Sequence, residues 1–111
     1  MTDPVLQNDD PLAPSLAAVD VLTVLQALSD PVRLEIVRQL AENEDGRGLR
    51  CHQLRIPVSK STGSHHLKTL SKAGITIEQA EGTSKFLRLR RDELEQRFPG
   101  LLDSVLQATD R

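Results

Sequence analysis

The segment SKSTGSHHLKTL, residues 59–70, constrains the fold of this chain more than any other stretch. Ser59 is a good N-cap and Gly74 a good C-terminal stop, so the segment predicts a helix over residues 60–72. At 100° per residue, one side of this helix carries small and aliphatic residues, with His66 at its edge. That side comprises Gly63, Leu67 and Leu70. The opposite side is polar and basic and comprises Ser61, His65, Lys68 and Lys72.

A helix of this kind can lie in the major groove of DNA while a core holds its other side. The alternative is an ordinary amphipathic helix with a solvated polar face. Residues 47–91 carry ten Lys and Arg against two acids, a net charge of +8, whereas residues 1–46 and 92–111 carry −7 and −3. Because the whole chain has a net charge of −2, this asymmetry favours a polyanionic partner over a surface that is merely solvated.

The rest of the composition narrows the class of protein. Phe86 and Phe98 are the only aromatic residues, and binders of RNA or single strands usually stack bases on aromatic side chains. Duplex DNA is therefore the expected polyanion. The 111 residues suffice for one domain without a membrane span, and the single Cys51 excludes an internal disulfide. We expect a cytoplasmic protein that is not an enzyme, since no signal segment, nucleophile elbow, HExxH motif or phosphate-binding glycine loop occurs.

The chain before residue 59 predicts a tail, two helices and a short connecting segment. Residues 1–14 contain three prolines and three acids and are typical of a disordered or loosely docked tail, followed by one domain over 15–111. Ser15 is a suitable N-cap for a first helix over 16–28. That helix is apolar around most of its circumference, so it is buried on two sides, either against another subunit or within a monomer core. Asp30-Pro31 starts a second helix that ends near Glu42.

A weak segment, Leu49–Arg55, predicts a short strand that leads into a short helix. After Gly74, the alternation at Ile75–Ile77 and again at Lys85–Arg90 predicts two strands joined by the turn Glu81–Ser84. One face of the second strand carries Leu87 and Leu89. The other carries Phe86, Arg88 and Arg90.

Asp92 and Glu95 resemble a capping box at the start of a last helix, which Pro99-Gly100 interrupts. The second half of that helix has an apolar face formed by Leu101, Leu102, Val105 and Leu106. The predicted order is therefore helix, helix, short helix, polar-faced helix, hairpin, helix. This is a mainly α fold with a β-hairpin, the winged helix-turn-helix.

The chain resembles the ArsR family of winged helix-turn-helix repressors. The segment Ala27–Ile36 (ALSDPVRLEI) resembles the entry to the family's second helix, and Ser61–Leu70 (STGSHHLKTL) resembles its recognition helix. Lys72–Ile75 and Glu81-Gly82 match the approach to the wing and its turn. In order and spacing, these motifs cover about residues 16–107. Arg97–Leu102 is similar to the tail of a subgroup whose members mostly lack an assigned signal.

The resemblance implies a homodimer, paired through the first and last helices, that represses at a pseudo-palindromic operator until an inducer relieves it. The predicted dimer contacts are Val21, Leu25, Leu101, Leu102, Val105 and Leu106. The chain departs from the family in two respects. Only four residues separate Leu54 from Ser59, which is short for the third helix and turn. The family's metal ligands are not evident, so no metal or other cofactor is expected and the inducer is unknown.

Cys51 and His52 are the residues closest to a metal or redox site. Adjacent ligands rarely bind one ion well, so a metal site is disfavoured. Arg50, Arg55 and His52 could favour the Cys51 thiolate, which makes a redox sensor an alternative to a structural cysteine. His65 and His66 diverge by 100° on the helix, so His66 is interpreted as a packed residue and His65 as a residue that faces DNA.

The sequence therefore predicts a DNA-binding transcriptional regulator. The predicted recognition-helix contacts are Ser59, Lys60, Ser61, Thr62, Ser64, His65 and Lys68. The predicted wing contacts are Thr83, Ser84, Lys85 and Arg88. Two alternatives stay open at this point: a winged helix used for contact with other proteins, and a thiol-responsive regulator that senses through Cys51.

Overall fold

The computed structural model describes residues 14–43 and 47–109, which form five α-helices and one antiparallel sheet. In chain order the elements are α1 Val21–Leu28, α2 Pro31–Glu42, β1 Leu49–Arg50, α3 Lys60–Lys72, β2 Thr76–Glu81, β3 Ser84–Leu89, α4 Arg91–Arg97 and α5 Leu101–Ala108. This confirms the predicted mainly α, winged helix-turn-helix fold. The predicted tail over residues 1–14 lies outside the described residues, apart from Pro14. None of the helices in the described ranges is long and apolar enough to cross a membrane.

The first predicted helix is wrong in its N-terminal half. Ser15 does act as a cap, but only for a 3₁₀ helix over Leu16–Ala18. The backbone is then extended at Val19, and α1 begins after Asp20, whose carboxylate accepts the N–H of Leu22 at 3.2 Å. Because aspartate favours an N-cap over a helix interior, it divides the predicted helix in two.

The second helix follows its sequence signals. Asp30 caps α2 by accepting the N–H groups of Val32 and Arg33 at 2.8 and 3.1 Å, and Pro31 occupies the first turn. The helix ends at Glu42, as predicted. The weak segment that follows is also confirmed, as the two-residue β1 and a 3₁₀ helix over Cys51–Gln53.

The polar-faced helix α3 has the predicted bounds, Lys60–Lys72. The Ser59 hydroxyl accepts the N–H of Thr62 at 3.3 Å and caps its first turn. Gly74 ends the helix with a φ of +80°, where a Cβ would lie 2.7 Å from a methyl carbon of Leu16. Glycine is therefore required there by both conformation and space.

The hairpin of β2 and β3 is the wing, and β1 completes a sheet of order β1-β3-β2. The strands pair from Thr76 opposite Leu89 to Glu81 opposite Ser84. The wing is longer than predicted, because β2 extends to Glu81. Both faces of β3 are covered in its middle: Leu87 is 1% exposed and Phe86 is 6% exposed. The guanidinium carbons of Arg47 and Arg50 lie 5.3 and 5.2 Å from the centroid of the Phe86 ring.

The predicted capping box at the last helix is wrong. Helix α4 begins at Arg91, so Asp92 lies inside its first turn, where its charge favours the helix dipole. The Glu95 carboxylate instead accepts the N–H of Gly100 at 3.2 Å. The predicted interruption at Pro99-Gly100 is confirmed, since α4 and α5 are separate helices.

Two buried arginines, Arg38 and Arg90, bind the segments next to Thr109 and Pro14 to the rest of the domain. Arg38 of α2 donates to the Thr109 carbonyl and hydroxyl oxygens, both at 2.8 Å. Arg90 donates to both carboxylate oxygens of Glu93, at 3.0 and 2.9 Å, and to the carbonyl of Pro14 at 2.8 Å. The largest fully buried side chains, which form the centre of the core, include Ile36, Val37, Leu70, Ile75 and Leu87.

Candidate nucleic-acid interface

Helix α3 packs one side against the core and leaves the other exposed. Gly63, His66 and Leu70 are buried, which confirms His66 as a packed residue. A Cβ on Gly63 would lie 3.4 Å from a methyl carbon of Ile56, an ordinary van der Waals distance, so the segment before α3 packs directly on this position. All seven residues predicted for the recognition helix are exposed: Ser59, Lys60, Ser61, Thr62, Ser64, His65 and Lys68.

An open groove of about 830 Å³ lies between α3 and the tip of the wing. It brings together six of the predicted contact residues: Ser59, Lys60, Ser64, Thr83, Ser84 and Lys85. A second groove of about 680 Å³ shares Ser64 with the first and adds Lys68. Ser61, Thr62 and His65 are exposed but line neither groove. We call the exposed α3 residues listed above, together with Thr83, Ser84 and Lys85, the recognition face.

Arg88 is not brought together with the rest of the predicted wing residues. It pairs with Ile77 near the base of the hairpin, is half-buried, and lines a different pocket, with Leu40 and Ala41 of α2. Its Nε atom is buried without a hydrogen-bond partner in the described part of the chain. Alternation along a strand explains this placement, since Arg88 is an odd number of residues from Lys85 and points to the other face.

Two basic residues that sequence reasoning left out also line the main groove. They are Arg50 and His52, both exposed, on either side of Cys51. The contact of Arg50 with the Phe86 ring holds its guanidinium beside the wing. The clustering of basic residues after Gly48 was the available signal, but the weak prediction for Leu49–Arg55 gave no orientation for these side chains.

The lysines of the chain are all in this region. Lys60, Lys68, Lys72 and Lys85 are the only four, and each is exposed on α3 or the wing. Within residues 14–43 and 47–109, none of their ammonium groups forms a hydrogen bond or an ion pair. The main groove contains Arg50, His52, Lys60 and Lys85 among its lining residues but no Asp or Glu. Its positive charge is therefore available to an external anion.

A second exposed surface is apolar. Val21, Leu22 and Leu25 of α1 are 36%, 62% and 40% exposed, and we call them the first-helix face. Leu22 was not among the predicted dimer contacts. Of those on α5, Leu102 is buried within the chain, whereas the other three are only partly buried against the core. Those three are Leu101, Val105 and Leu106.

Comparison with known proteins assigns the chain to a family. The chain is 34% identical over 84 residues to the uncharacterized HTH-type transcriptional regulator YceK of Bacillus subtilis, an alignment that covers 74% of this chain and 82% of YceK. It is 37% identical over 78 residues to the uncharacterized HTH-type transcriptional regulator MJ1325 of Methanocaldococcus jannaschii, covering 66% of this chain and 81% of the relative. None of the protein-family models matches the chain.

Comparison with solved structures leads to the same class of protein, transcriptional regulators. The transcriptional repressor BigR from Xylella fastidiosa superposes with a TM-score of 0.62 at 27% identity, covering 82% of this chain and 87% of BigR. An ArsR-like transcriptional regulator from Rhodococcus sp. RHA1 superposes with a TM-score of 0.59 at 26% identity, covering 81% and 92%. The chain belongs to the ArsR family of winged helix-turn-helix transcriptional regulators.

In this ArsR-family protein, Cys51 lies where the two grooves meet. Partial desolvation raises the pKa of the Cys51 thiol above its usual value, and the nearby Glu78 carboxylate raises it further. Lys85 lowers the pKa of the thiol, but partial burial and Glu78 outweigh it, so this environment does not favour the thiolate. A sensing role for Cys51 stays a prediction. A thiol in this state is a weak nucleophile at neutral pH.

The structure also bears on the metal sites of the ArsR family. In the described ranges, 14–43 and 47–109, no group of three or more His, Cys, Asp or Glu side chains is placed to hold a metal ion. His65 and His66 diverge as predicted: their ring centroids are 6.1 Å apart, and only His66 is buried. This arrangement provides no pair of imidazoles aimed at one point.

Proposed function

We propose that this ArsR-family regulator is a homodimeric repressor that binds duplex DNA through the recognition face. The observation that carries the proposal is that all four lysines are exposed on α3 and the wing and have no partner among residues 14–43 and 47–109. Unpartnered cations on a protruding helix and hairpin are suited to phosphate oxygens on both sides of a groove. The exposed hydroxyls and the imidazole of His65 then reach base edges, where Ser accepts or donates as the base requires.

Arg50 and His52 extend the proposed contact to the 3₁₀ helix beside the groove. Their side chains line the same surface as Lys60 and Lys85. We assign them to phosphate, because Arg50 and His52 are exposed in this groove and the Phe86 ring holds the Arg50 guanidinium there. Ser59 caps α3 with its hydroxyl, so its own contribution to DNA is through the helix N-terminus.

The homodimer is proposed from the first-helix face. Val21, Leu22 and Leu25 present three neighbouring apolar side chains to solvent, and Leu101, Val105 and Leu106 of α5 are only partly covered. A second copy of the chain would remove this area from water. Repression is proposed because BigR, a structural neighbour, is described as a transcriptional repressor.

Selection of bound duplexes from a random pool tests the proposed function. We expect enrichment of one sequence arranged as two inverted half-sites about one helical turn, roughly 10 base pairs, apart. Failure to enrich any sequence would contradict DNA recognition and favour the alternative, a winged helix used for contact with other proteins. Enrichment of a single half-site would contradict the dimer.

Leu25→Glu tests the dimer independently of DNA. A carboxylate in the middle of the first-helix face should dissociate the dimer, since an unpaired charge is costly to bury. Thr23→Glu is the matched control, because Thr23 is exposed on the opposite side of the same helix. In sedimentation velocity, a monomer for Leu25→Glu and a dimer for Thr23→Glu are expected; a dimer for both would refute the proposed interface.

A further inference from the structure

Arg33 of α2 bonds to two other helices at once. Its Nε donates to the carbonyl of Ala27 at 2.7 Å and one terminal nitrogen donates to the carbonyl of Gln26 at 3.4 Å, both at the C-terminal end of α1. Its other terminal nitrogen lies 3.2 Å from Nδ1 of His66 in α3. One planar guanidinium therefore joins the end of α1 to the middle of α3.

The His66 ring has a defined tautomer in this arrangement. A guanidinium has no acceptor, so Nδ1 of His66 must accept the hydrogen bond and the ring proton must lie on Nε2. His66 is 9% exposed, so water cannot readily replace Arg33 as its partner. The adjacent His65 is exposed on the recognition face.

The other end of the connection is equally specific. The last carbonyls of a helix lack intrahelical partners, and Arg33 donates to two of those in α1, on Gln26 and Ala27. The Gln26 carbonyl also accepts the Ser29 hydroxyl at 2.7 Å. Leu25, in the first-helix face, immediately precedes the bonded carbonyls of Gln26 and Ala27. A shift of α1 therefore moves the two carbonyls that hold Arg33, and through it His66.

We propose that Arg33 and His66 are positioning residues for DNA binding: their hydrogen bond sets the orientation of α3 relative to α1, so that contact at the first-helix face presents the recognition face correctly. This inference rests on the proposed function for its DNA readout. The planar guanidinium of Arg33 suits this role because its N–H groups point in fixed directions, so it holds His66 in one orientation relative to α1. A lysine ammonium, on a flexible stem, would attract the same acceptors without fixing their orientation.

Two substitutions at His66 separate positioning from simple stability. His66→Asn keeps an acceptor near the place of Nδ1, whereas His66→Phe keeps a ring but leaves the guanidinium without its acceptor. With each variant folded and dimeric by sedimentation, we expect His66→Phe to weaken binding to the selected duplex about tenfold or more, a typical effect of breaking one hydrogen-bond network. His66→Asn should restore most of the affinity. Arg33→Lys should resemble His66→Phe, and the double variant should be no weaker than either single variant.

Equal affinity of His66→Phe and the unaltered protein would overturn the inference. Equal losses in His66→Phe and His66→Asn would do the same, because a merely structural role does not distinguish an acceptor from a ring. Urea unfolding of every variant shows that the affinities refer to folded protein.

A second readout needs no DNA. In amide NMR spectra, Leu25→Glu should shift resonances of α3 around His66 in the otherwise unaltered protein, and this shift should disappear in the Arg33→Lys background. If no α3 resonance responds to Leu25→Glu, the coupling does not exist. If the coupling is present but no duplex is ever enriched, the proposed function fails while the connection between α1 and α3 stands.

Discussion

The four lysines of this chain and three of its arginines, Arg33, Arg38 and Arg90, lie in different regions and differ in role. The four lysines lie on α3 and the wing, exposed and without partners in the described residues. Arginines, in contrast, hold the helical body together: Arg38 binds the end of α5, Arg90 binds Glu93 and the Pro14 carbonyl, and Arg33 binds the end of α1. The division follows from chemistry, because a guanidinium satisfies several oxygens at once, whereas an ammonium is a compact, strongly hydrated charge.

Because some basic side chains bind groups within the chain, the net charge of a segment overstates the charge that it offers to DNA. The net charge of +8 over residues 47–91 covers the proposed recognition face, but part of that charge is used in contacts within the chain. Arg90 is 6% exposed, and Arg47 forms an ion pair with Glu81 at 3.2 Å. The charge available to an external anion is therefore smaller than the count suggests, and in the main groove it lies on Lys60, Lys85 and Arg50.

The largest expected effect concerns the lysine region and salt. If the protein makes ~6–10 phosphate contacts, its affinity for the selected duplex should fall by about 10³–10⁵ between 50 and 200 mM salt. Fluorescence anisotropy of a labelled duplex measures this. A flat salt dependence would mean that the lysines do not contact phosphate, and would contradict a DNA-binding role for the lysine region.

Arg38→Met tests the arginine region. It removes charge-assisted hydrogen bonds to the end of α5 and should lower the free energy of unfolding by about 2–3 kcal/mol, measured in urea. Arg55→Met is the control, because Arg55 is exposed and should stay within about 0.5 kcal/mol of the unaltered protein. Equal stability of both variants would contradict a fastening role for Arg38.

Cys51 tests the electrostatics at the edge of the recognition face. Because burial and Glu78 raise the pKa of the thiol, its reaction with a disulfide reagent at pH 7 should be slower than that of an unstructured cysteine. Glu78→Gln should speed the reaction, since it removes one of the two causes, while Glu81→Gln serves as control. Fast reaction of the unaltered protein at pH 7 would contradict the raised pKa and revive a thiol-sensing mechanism.

The smallest expected effect is a loss of stability in acid. The N–H of Arg33 holds the pKa of the Asp30 carboxyl below its usual value, and the hydrogen bond from Arg90 does the same for Glu93. A depressed folded-state pKa gives stability that is full above the unfolded value, about pH 4, and is lost as the pH falls through the folded value. Asp30→Asn keeps a capping oxygen and should weaken this pH dependence in urea titrations. An unchanged pH dependence in that variant would show that protonation of Asp30 does not contribute to the loss of stability in acid.

Much of the fold could be predicted because its boundaries carry local signals. Ser59, Asp30-Pro31 and Gly74 each fix a helix end through a cap or a required backbone angle. The failures have the same origin. Asp20 was taken as a polar position inside a helix although it is a cap, and Asp92 was taken as a cap although it lies in the first turn. The spacing of polar residues alone does not show whether an aspartate caps a helix, as Asp20 does, or lies within its first turn, as Asp92 does.

The part of the candidate site that lies on α3 could be predicted from the sequence. The part formed by residues of the wing and of the segment after β1 could be predicted less well. Periodicity placed Ser61, His65, Lys68 and Lys72 on the exposed side of α3, as observed. It could not place Arg50 and His52 beside the wing, because that depends on the pairing of β1 with β3. Alternation along β3 did separate the face of Arg88 from that of Lys85, but its distance from the wing tip depends on the pairing of β2 with β3. The link from Arg33 to His66 joins residues 33 positions apart and has no local signature.

The most direct test of the central claim is the salt dependence of a variant without three recognition-face lysines, Lys60→Ala/Lys68→Ala/Lys85→Ala. Each phosphate contact contributes about 0.9 to the slope of log K against log salt, so the account predicts a slope smaller by roughly 3 than that of the unaltered protein. Arg97→Gln, which removes a charge from α4, should leave the slope unchanged. A triple variant that keeps the full slope would show that these lysines do not contact DNA.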